Sequence, residues 1–282
     1  MSRLWQLAAE TDSESSAIQA EIVLESEALS VGRFRAEQDG SRWRLEALFD
    51  AEPDAADWSR RLGVDCATER LRDADWVTEA QKHLPPVIAG RFHVHGSHIP
   101  RHASPAMHDI LIEAGPAFGT GQHESTRGCL LALDRLARRM PVRRALDVGC
   151  GTGVLAIAVA MAWVKPAVVA TDIDPVSARF AANAARENGV GRCIVTGTGP
   201  GLRPAVARDG APYDLICANI LARPICRLAP ALASVLVPRG RIVLAGLLWW
   251  QEAAVLAAYR AHGLPLDFRI ALGGWRTLVV GR

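Results

Sequence analysis

The chain has 282 residues, half of them apolar, with a formal net charge of +2. That is room for one large domain, or a large and a small one, with a sizeable core, and no run reaches membrane-spanning length. A charge this close to zero argues against bulk attraction to nucleic acid or a membrane surface. The six cysteines show no metal-ligand spacing, so reduced, structural thiols in a cytoplasmic protein are expected. The first twelve residues lack a signal-peptide apolar core, and no internal repeat is visible.

Residues 4–8 read as a strand. Residues 13–26 read as a helix, with Ser13 as its cap and Ile18, Ile22 and Val23 on one face. Strands at 29–36 and 43–49 flank a turn at Asp39 and Gly40. A helix at 55–62 and a strand at 64–70 complete the order βαββαβ, the arrangement of a ferredoxin-like domain. No chemistry-bearing cluster sits in this head. Such a module either binds a partner or only packs on its neighbour. Residues 73–84 read as a connecting helix ended by Pro85 and Pro86. The expected division is a small head at 1–70, a linker at 71–90 and a larger domain at 91–282.

His93, His95, His98, His102 and His108 crowd the next segment. Zinc sites need close ligands backed by Cys or carboxylate, whereas the alternation of His93 and His95 fits one solvated strand face. No metal is expected. Residues 110–114 read as a strand. The stretch A-F-G-T-G-Q-H-E-S-T-R at 117–127 is a glycine loop opening a helix that runs to Arg139. Thr126 either places a hydroxyl near a ligand or caps the helix, and spacing alone does not separate the two.

The most informative stretch is A-L-D-V-G-C-G-T-G-V-L-A-I-A-V-A-M-A at 145–162. A short buried strand ends at Val148, Gly149, Gly151 and Gly153 form a turn, and an Ala-rich helix begins at Val154. This is the first half of a nucleotide-binding βαβ unit. Glycine spacing alone does not name the ligand, since Gly151, Gly153 and Ala156 also satisfy the dinucleotide pattern. Asp147 does. A carboxylate at the mouth of this turn repels a pyrophosphate and attracts a cation. S-adenosyl-L-methionine (AdoMet) carries an ammonium and a sulfonium and no phosphate. A class I methyltransferase loop in an α/β, Rossmann-like domain is therefore expected.

The remaining elements agree. Residues 168–170 are a strand leading to Asp172, placed to accept from two ribose hydroxyls. Pro175 starts a helix that ends near Asn188 and Gly189. Strands follow at 193–195, 213–221 and 241–247, with helices at 228–236 and 251–261. Strands at 266–272 and 276–280 close the chain. Asn219 lies at a strand's carboxyl end, where open α/β sheets bind ligands. Its amide can serve a substrate amine, or it is a turn residue.

Five motifs together resemble the PrmA family of bacterial methyltransferases, which act on large-subunit ribosomal protein eleven. They are A-F-G-T-G-Q-H-E-S-T-R, L-D-V-G-C-G-T-G-V-L-A-I-A, T-D-I-D-P, A-N-I-L-A-R-P-I and the terminal G-G-W-R-T-L-V-V-G-R. The resemblance spans nearly the whole chain, although V-H-G-S-H stands where that family often has Pro-Ser-Trp. It implies that the head recognises the ribosomal protein and that the linker swings it over the active site. It implies AdoMet contacts at Thr126, Gly149, Asp172 and Asn219, and methylation of lysine ε-amines and an N-terminal α-amine. Phe118 would bound the methyl site. His123 is the nearest candidate base, although a role in holding its loop is equally consistent. A monomer without sequence-specific nucleic-acid contacts is expected. The alternatives are a class I methyltransferase of RNA, of another protein lysine or of a small molecule, and a ribosome-assembly protein without the chemistry.

Overall fold

The computed structural model describes residues 5–25, 27–28, 30–35, 42–70, 86–102, 104–113 and 123–282. The turn expected at Asp39 and Gly40, the connecting helix at 73–84, and Phe118 with its glycine loop lie outside the described residues. The chain divides into two compact units, Met1–Ala80 and Gln81–Arg282.

The first unit runs β1 (Trp5–Thr11), α1 (Glu14–Glu25), β2 (Ser30–Arg35), β3 (Trp43–Phe49), α2 (Ala55–Leu62), β4 (Cys66–Arg70). Its antiparallel sheet has the order β2-β3-β1-β4. Alternation sets its inner face: Leu7 and Ala9 on β1, and Leu45, Ala47 and Phe49 on β3, are buried. Ser13 caps α1 as expected, its Oγ accepting from Ser16 N at 3.2 Å. The buried stripe of α1 differs from the expected one. It is Ala17, Ala20, Glu21 and Leu24, while Ile18, Ile22 and Val23 are only half-buried. The stripe keeps helical spacing and puts small side chains against the sheet. Glu21 can enter it because Arg33 Nε lies 3.0 Å from its carboxylate. Asp54 caps α2 by accepting from Ala56 N and Asp57 N, and Trp58 packs on Phe49 at 5.5 Å between ring centroids.

The second unit opens with a three-stranded sheet, β5 (Val87–Ala89), β6 (Phe92–His95) and β7 (His108–Leu111), with β6 in the middle. All four residues of β6 are buried, His93 to 4% and His95 to 6% exposure. The expectation of a solvated histidine face is therefore wrong. Alternation tells which residues share a face of a strand, and here a covered central strand carries that face.

The main sheet is built from β8 (Arg144–Val148), β9 (Ala167–Asp172), β10 (Ile194–Thr198), β11 (Tyr213–Asn219), β12 (Leu236–Leu248), β13 (Leu266–Leu272) and β14 (Trp275–Gly281). Its order is β10-β9-β8-β11-β12-β14-β13. The first five strands are parallel, and β14 runs antiparallel to both neighbours. The helices are α3 (Glu124–Ala137), α4 (Val154–Ala162), α5 (Pro175–Glu187), α6 (Ala205–Asp209), α7 (Ala222–Ser234) and α8 (Glu252–Arg260). Two apolar clusters mark the two covered faces. One joins α3, α4 and α5 to the sheet, and the other joins α7 and α8. This is the expected α/β methyltransferase architecture. Strand order reverses between β8 and β11, so a crevice opens there at the carboxyl edge.

Several boundaries differ from the sequence reading. Helix α7 starts at Ala222, not 228, because Pro224 sits in the first turn, where its missing N–H is harmless. Strand β12 begins at Leu236, through a Pro-Arg-Gly run that reads as a turn; Arg239 there takes φ +67°. The Asn188 side chain does more than end α5. Its Nδ2 donates to Leu111 O at 2.7 Å and its Oδ1 accepts from Leu111 N at 2.8 Å, fixing the end of β7. The six cysteines are free thiols. No helix among the described residues is long and apolar enough to cross a membrane.

Candidate active site

The turn after β8 is locked to the next strand. Gly149 N and Cys150 N both donate to Thr171 O, at 2.7 and 3.0 Å, and Gly151 N donates to Asp172 Oδ2 at 2.9 Å. Sequence reasoning assigned the three glycines to ligand approach, but two answer first to packing. Gly153, at φ +82°, begins α4, and a Cβ there would lie 2.9 Å from Ala181 Cβ on α5. A Cβ on Gly149, at φ +71°, would overlap Ile220 Cγ2. Ile220 is pressed from its other side too: its carbonyl occupies the place of a Cβ on Gly246 of β12. The residue after Asn219 is thus wedged between two glycines.

Three acids flank this turn, with different roles. Asp147 is buried in the middle of the sheet, its Oδ2 accepting from Ala156 N at 3.1 Å in the first turn of α4. Its Oδ1 is also buried and has no partner among the described residues. Burial pushes the carboxyl up to about 7, against the Ala156 hydrogen bond, and the charge of Asp172 adds to the rise. Asp172 spends one oxygen on Gly151 N and the other on Asp174 N at 3.0 Å. Each oxygen keeps acceptor capacity for a further donor. Asp174 is a helix cap: it accepts from Val176 N, Ser177 N and Ser177 Oγ, and those bonds hold its carboxyl below the usual range.

Across the crevice, Asn219 ends β11 and donates from Nδ2 to Thr126 Oγ1 at 3.2 Å. Its carbonyl has no partner among the described residues. Thr126 is fully buried and stands in the first turn of α3, but it does not cap that helix. His123 does, with Nδ1 accepting from Ser125 N at 3.2 Å and lying 2.7 Å from Ser125 Oγ. Nδ1 of His123 is thereby engaged at the start of α3.

Sequence reasoning missed Trp275. Its ring meets His123 edge-on at 4.3 Å, and its buried Nε1 has no partner among the described residues. The terminal G-G-W-R-T run carried the residue but not its neighbour, because β14 and α3 meet only through the tertiary fold. The crevice thus gathers Asp147, Asp172, Thr126 and Asn219 from four elements. It offers acceptors for a cationic, hydroxyl-bearing ligand.

The sequence matches the family model described as ribosomal protein L11 methyltransferase (PrmA) over residues 2–282. It is 41% identical over 284 residues to a ribosomal protein L11 methyltransferase of Rhizobium leguminosarum bv. trifolii, covering 98% of this chain and 97% of the relative. The protein of that name from Bradyrhizobium diazoefficiens is 44% identical over 254 residues, which is 86% of this chain and 85% of that one. A solved structure of a ribosomal protein L11 methylase from Lactobacillus delbrueckii subsp. bulgaricus aligns with a TM-score of 0.61 at 29% identity, covering 68% of this chain and 95% of that chain. Matched along all but its first residue, the chain belongs to the ribosomal protein L11 methyltransferase (PrmA) family.

Proposed function

We propose that the protein is a cytoplasmic, monomeric enzyme that uses AdoMet to methylate lysine ε-amines and the N-terminal α-amine of ribosomal protein L11. Residues 1–70 are the recognition module in this reading, with 71–90 as the linker. The observation that carries the chemistry is the Asn219–Thr126 pair at the strand-order reversal: the amide is oriented by one end and its carbonyl is left for an incoming amine.

The residues present fit AdoMet. The buried, unpartnered Oδ1 of Asp147 suits a cationic group, and Asp172 has acceptor capacity for ribose hydroxyls. Thr126, Gly149, Gly151, Gly153 and Phe118 complete the set of residues assigned to the cofactor. Bound AdoMet supplies a methyl group on a sulfonium, an excellent leaving group. The chain must therefore position an uncharged amine more than it must move protons. A free lysine titrates near 10.4, so a buried site beside a positive charge favours the neutral form. The Asn219 carbonyl accepts from the amine N–H and turns its lone pair outward. Orientation of this kind supplies roughly 7–11 kcal/mol in favourable cases.

Transfer of labelled methyl from AdoMet to a panel of purified ribosomal proteins, followed by mapping of the modified residues, tests the reading. Label on L11 amines is expected. Label only on another protein of the panel overturns the substrate assignment. In the same preparation Asp172→Ala should weaken AdoMet binding by about 1.5–3 kcal/mol, the loss typical of hydrogen bonds to a charged acceptor. Unchanged affinity by calorimetry would remove Asp172 from the ribose contact. Asp174 would not inherit the role, being spent on the cap of α5.

A further inference from the structure

The histidines of β6 are not a solvated face, and the acid absent from their own segment comes from the neighbouring strand. In the parallel pairing of β6 and β7, His93 stands opposite Asp109. The carboxylate reaches both rings: Oδ1 lies 2.6 Å from His93 Nδ1 and Oδ2 lies 3.0 Å from His95 Nε2. The two imidazoles stack at 5.0 Å with 20° between their planes, and both are buried. His102 N donates to Asp109 Oδ1 at 3.0 Å.

His95 is the telling residue. Its Nδ1 faces Gly96 O at 2.9 Å, a carbonyl that can only accept. Its Nε2 faces a carboxylate oxygen. An acceptor therefore meets each ring nitrogen, and the gap between Nε2 and Asp109 must hold a positive centre, a proton or a metal ion. A metal-ligating histidine ordinarily donates its other N–H to such a backbone carbonyl, which fixes the ring for coordination. His102 is not a ligand in this arrangement, since its Nδ1 accepts from Ser104 N at 3.1 Å.

We propose that His93, His95 and Asp109 form a binding site for a divalent transition metal, with Zn²⁺ as the ion. One donor atom from each residue lies within 4.8 Å of the other two. Donors on a tetrahedral Zn²⁺, at bonds of about 2.0–2.2 Å, stand about 3.4 Å apart, so small ring and carboxylate shifts complete the geometry. Two imidazoles and one carboxylate leave a fourth position for water, and this donor set suits Zn²⁺ over Mg²⁺ or Ca²⁺. Arg101 approaches Asp109 Oδ2 at 3.9 Å, but its side chain is largely exposed and can swing away. The ion would staple β6 to β7 and the loop between them. The site is built on the small sheet and shares no residue with the crevice, and its role is to hold structure.

The test uses untagged full-length protein stripped with a chelator and then titrated with Zn²⁺ in competition with a chromophoric indicator. Uptake of one ion per chain is expected, with a rise in the thermal midpoint of about 5 °C. Co²⁺ should give the intense visible bands of a tetrahedral site. His95→Gln and Asp109→Asn should each weaken uptake by at least about 100-fold while AdoMet binding persists, and His262→Gln, an exposed control, should change nothing. No uptake by the wild type overturns the proposal, as does uptake unchanged in both variants, which would mean surface histidines alone bind the ion. If a variant does not fold, the wild-type Co²⁺ spectrum decides: tetrahedral bands support the site, and the weak spectrum of the hydrated ion overturns it.

Discussion

Asn219→Asp is expected to hold AdoMet within about tenfold of the wild type, roughly 1.4 kcal/mol, while methyl transfer at neutral pH falls by at least about 100-fold. The substitution keeps the size of the side chain and adds a charge where the amine is to be oriented. Asp cannot donate to Thr126, so the buried hydroxyl must turn and donate instead. The carboxylate also favours the ammonium form of the target, which has no lone pair to give. It attracts the cationic cofactor, so binding should survive. The loss should shrink as pH rises and the target lysine releases its proton. Calorimetry and a pH series of single-turnover rates separate the two effects. Wild-type turnover at neutral pH would show that Asn219 does not orient the amine, and loss of AdoMet binding would assign it to the cofactor alone.

The second large effect belongs to Asp147. Its carboxyl titrates near 7 in the folded protein because burial disfavours the charge. In the unfolded chain it titrates near 3.9. Between those values the folded state holds a proton that the unfolded state has released, so stability falls as pH rises through this window. The full penalty is present above pH 7 and is on the order of 4 kcal/mol at most. Asp147→Asn should therefore stabilise the ligand-free protein at pH 8 by about 1–3 kcal/mol, and the gain should vanish near pH 4, where the carboxyl is neutral. Cofactor binding should change in the opposite sense. The charged form is the one that suits a cation, so wild-type affinity for AdoMet should fall about tenfold per pH unit below 7. The variant should bind about 10–100-fold more weakly at pH 8 and lose this pH dependence. Denaturant melts and calorimetry across pH 5–8 read both. Equal stability of the two proteins at pH 8 would mean that the buried charge is compensated, and a flat wild-type binding profile would detach Asp147 from the cofactor.

The catalytic unit was legible in the sequence where local chemistry is strong. The glycine turn, the strand before it and the helix after it follow from residues 145–162, and Asp147 pointed to a cation. The reversal of strand order could not be read there, since it depends on which strands pair. Two kinds of error recur. Element starts fall too late where proline or glycine lies inside the element: the helix read from 228 begins at Ala222, ahead of Pro224, and the strand read from 241 begins at Leu236 and runs through Pro238 to Gly240. Periodicity was taken to say which face meets water. It does not: Ile18 and Ile22 lost the inner face of α1 to Ala17 and Ala20, and His93 and His95 proved buried. Asp109 was missed beside those histidines because strand pairing, not spacing along the chain, brings it there. Asn188 read as a helix end, and nothing local tells that it also grips Leu111.

The wedging of Ile220 bears on how this crevice can change over generations. Its side chain fills the space a Cβ would need on Gly149, and its carbonyl fills the space a Cβ would need on Gly246. A larger residue at either glycine collides at once, and movement of the Ile220 backbone away from one glycine drives it toward the other. Asn219, one residue before, is held at a set depth by three positions on three different strand ends. A lineage that gained from a deeper or shallower reach would need coordinated replacements, and each single step on the way would be purged for poor folding. Selection for new targets is therefore channelled away from the crevice and toward parts of the molecule where one substitution can be tried at a time.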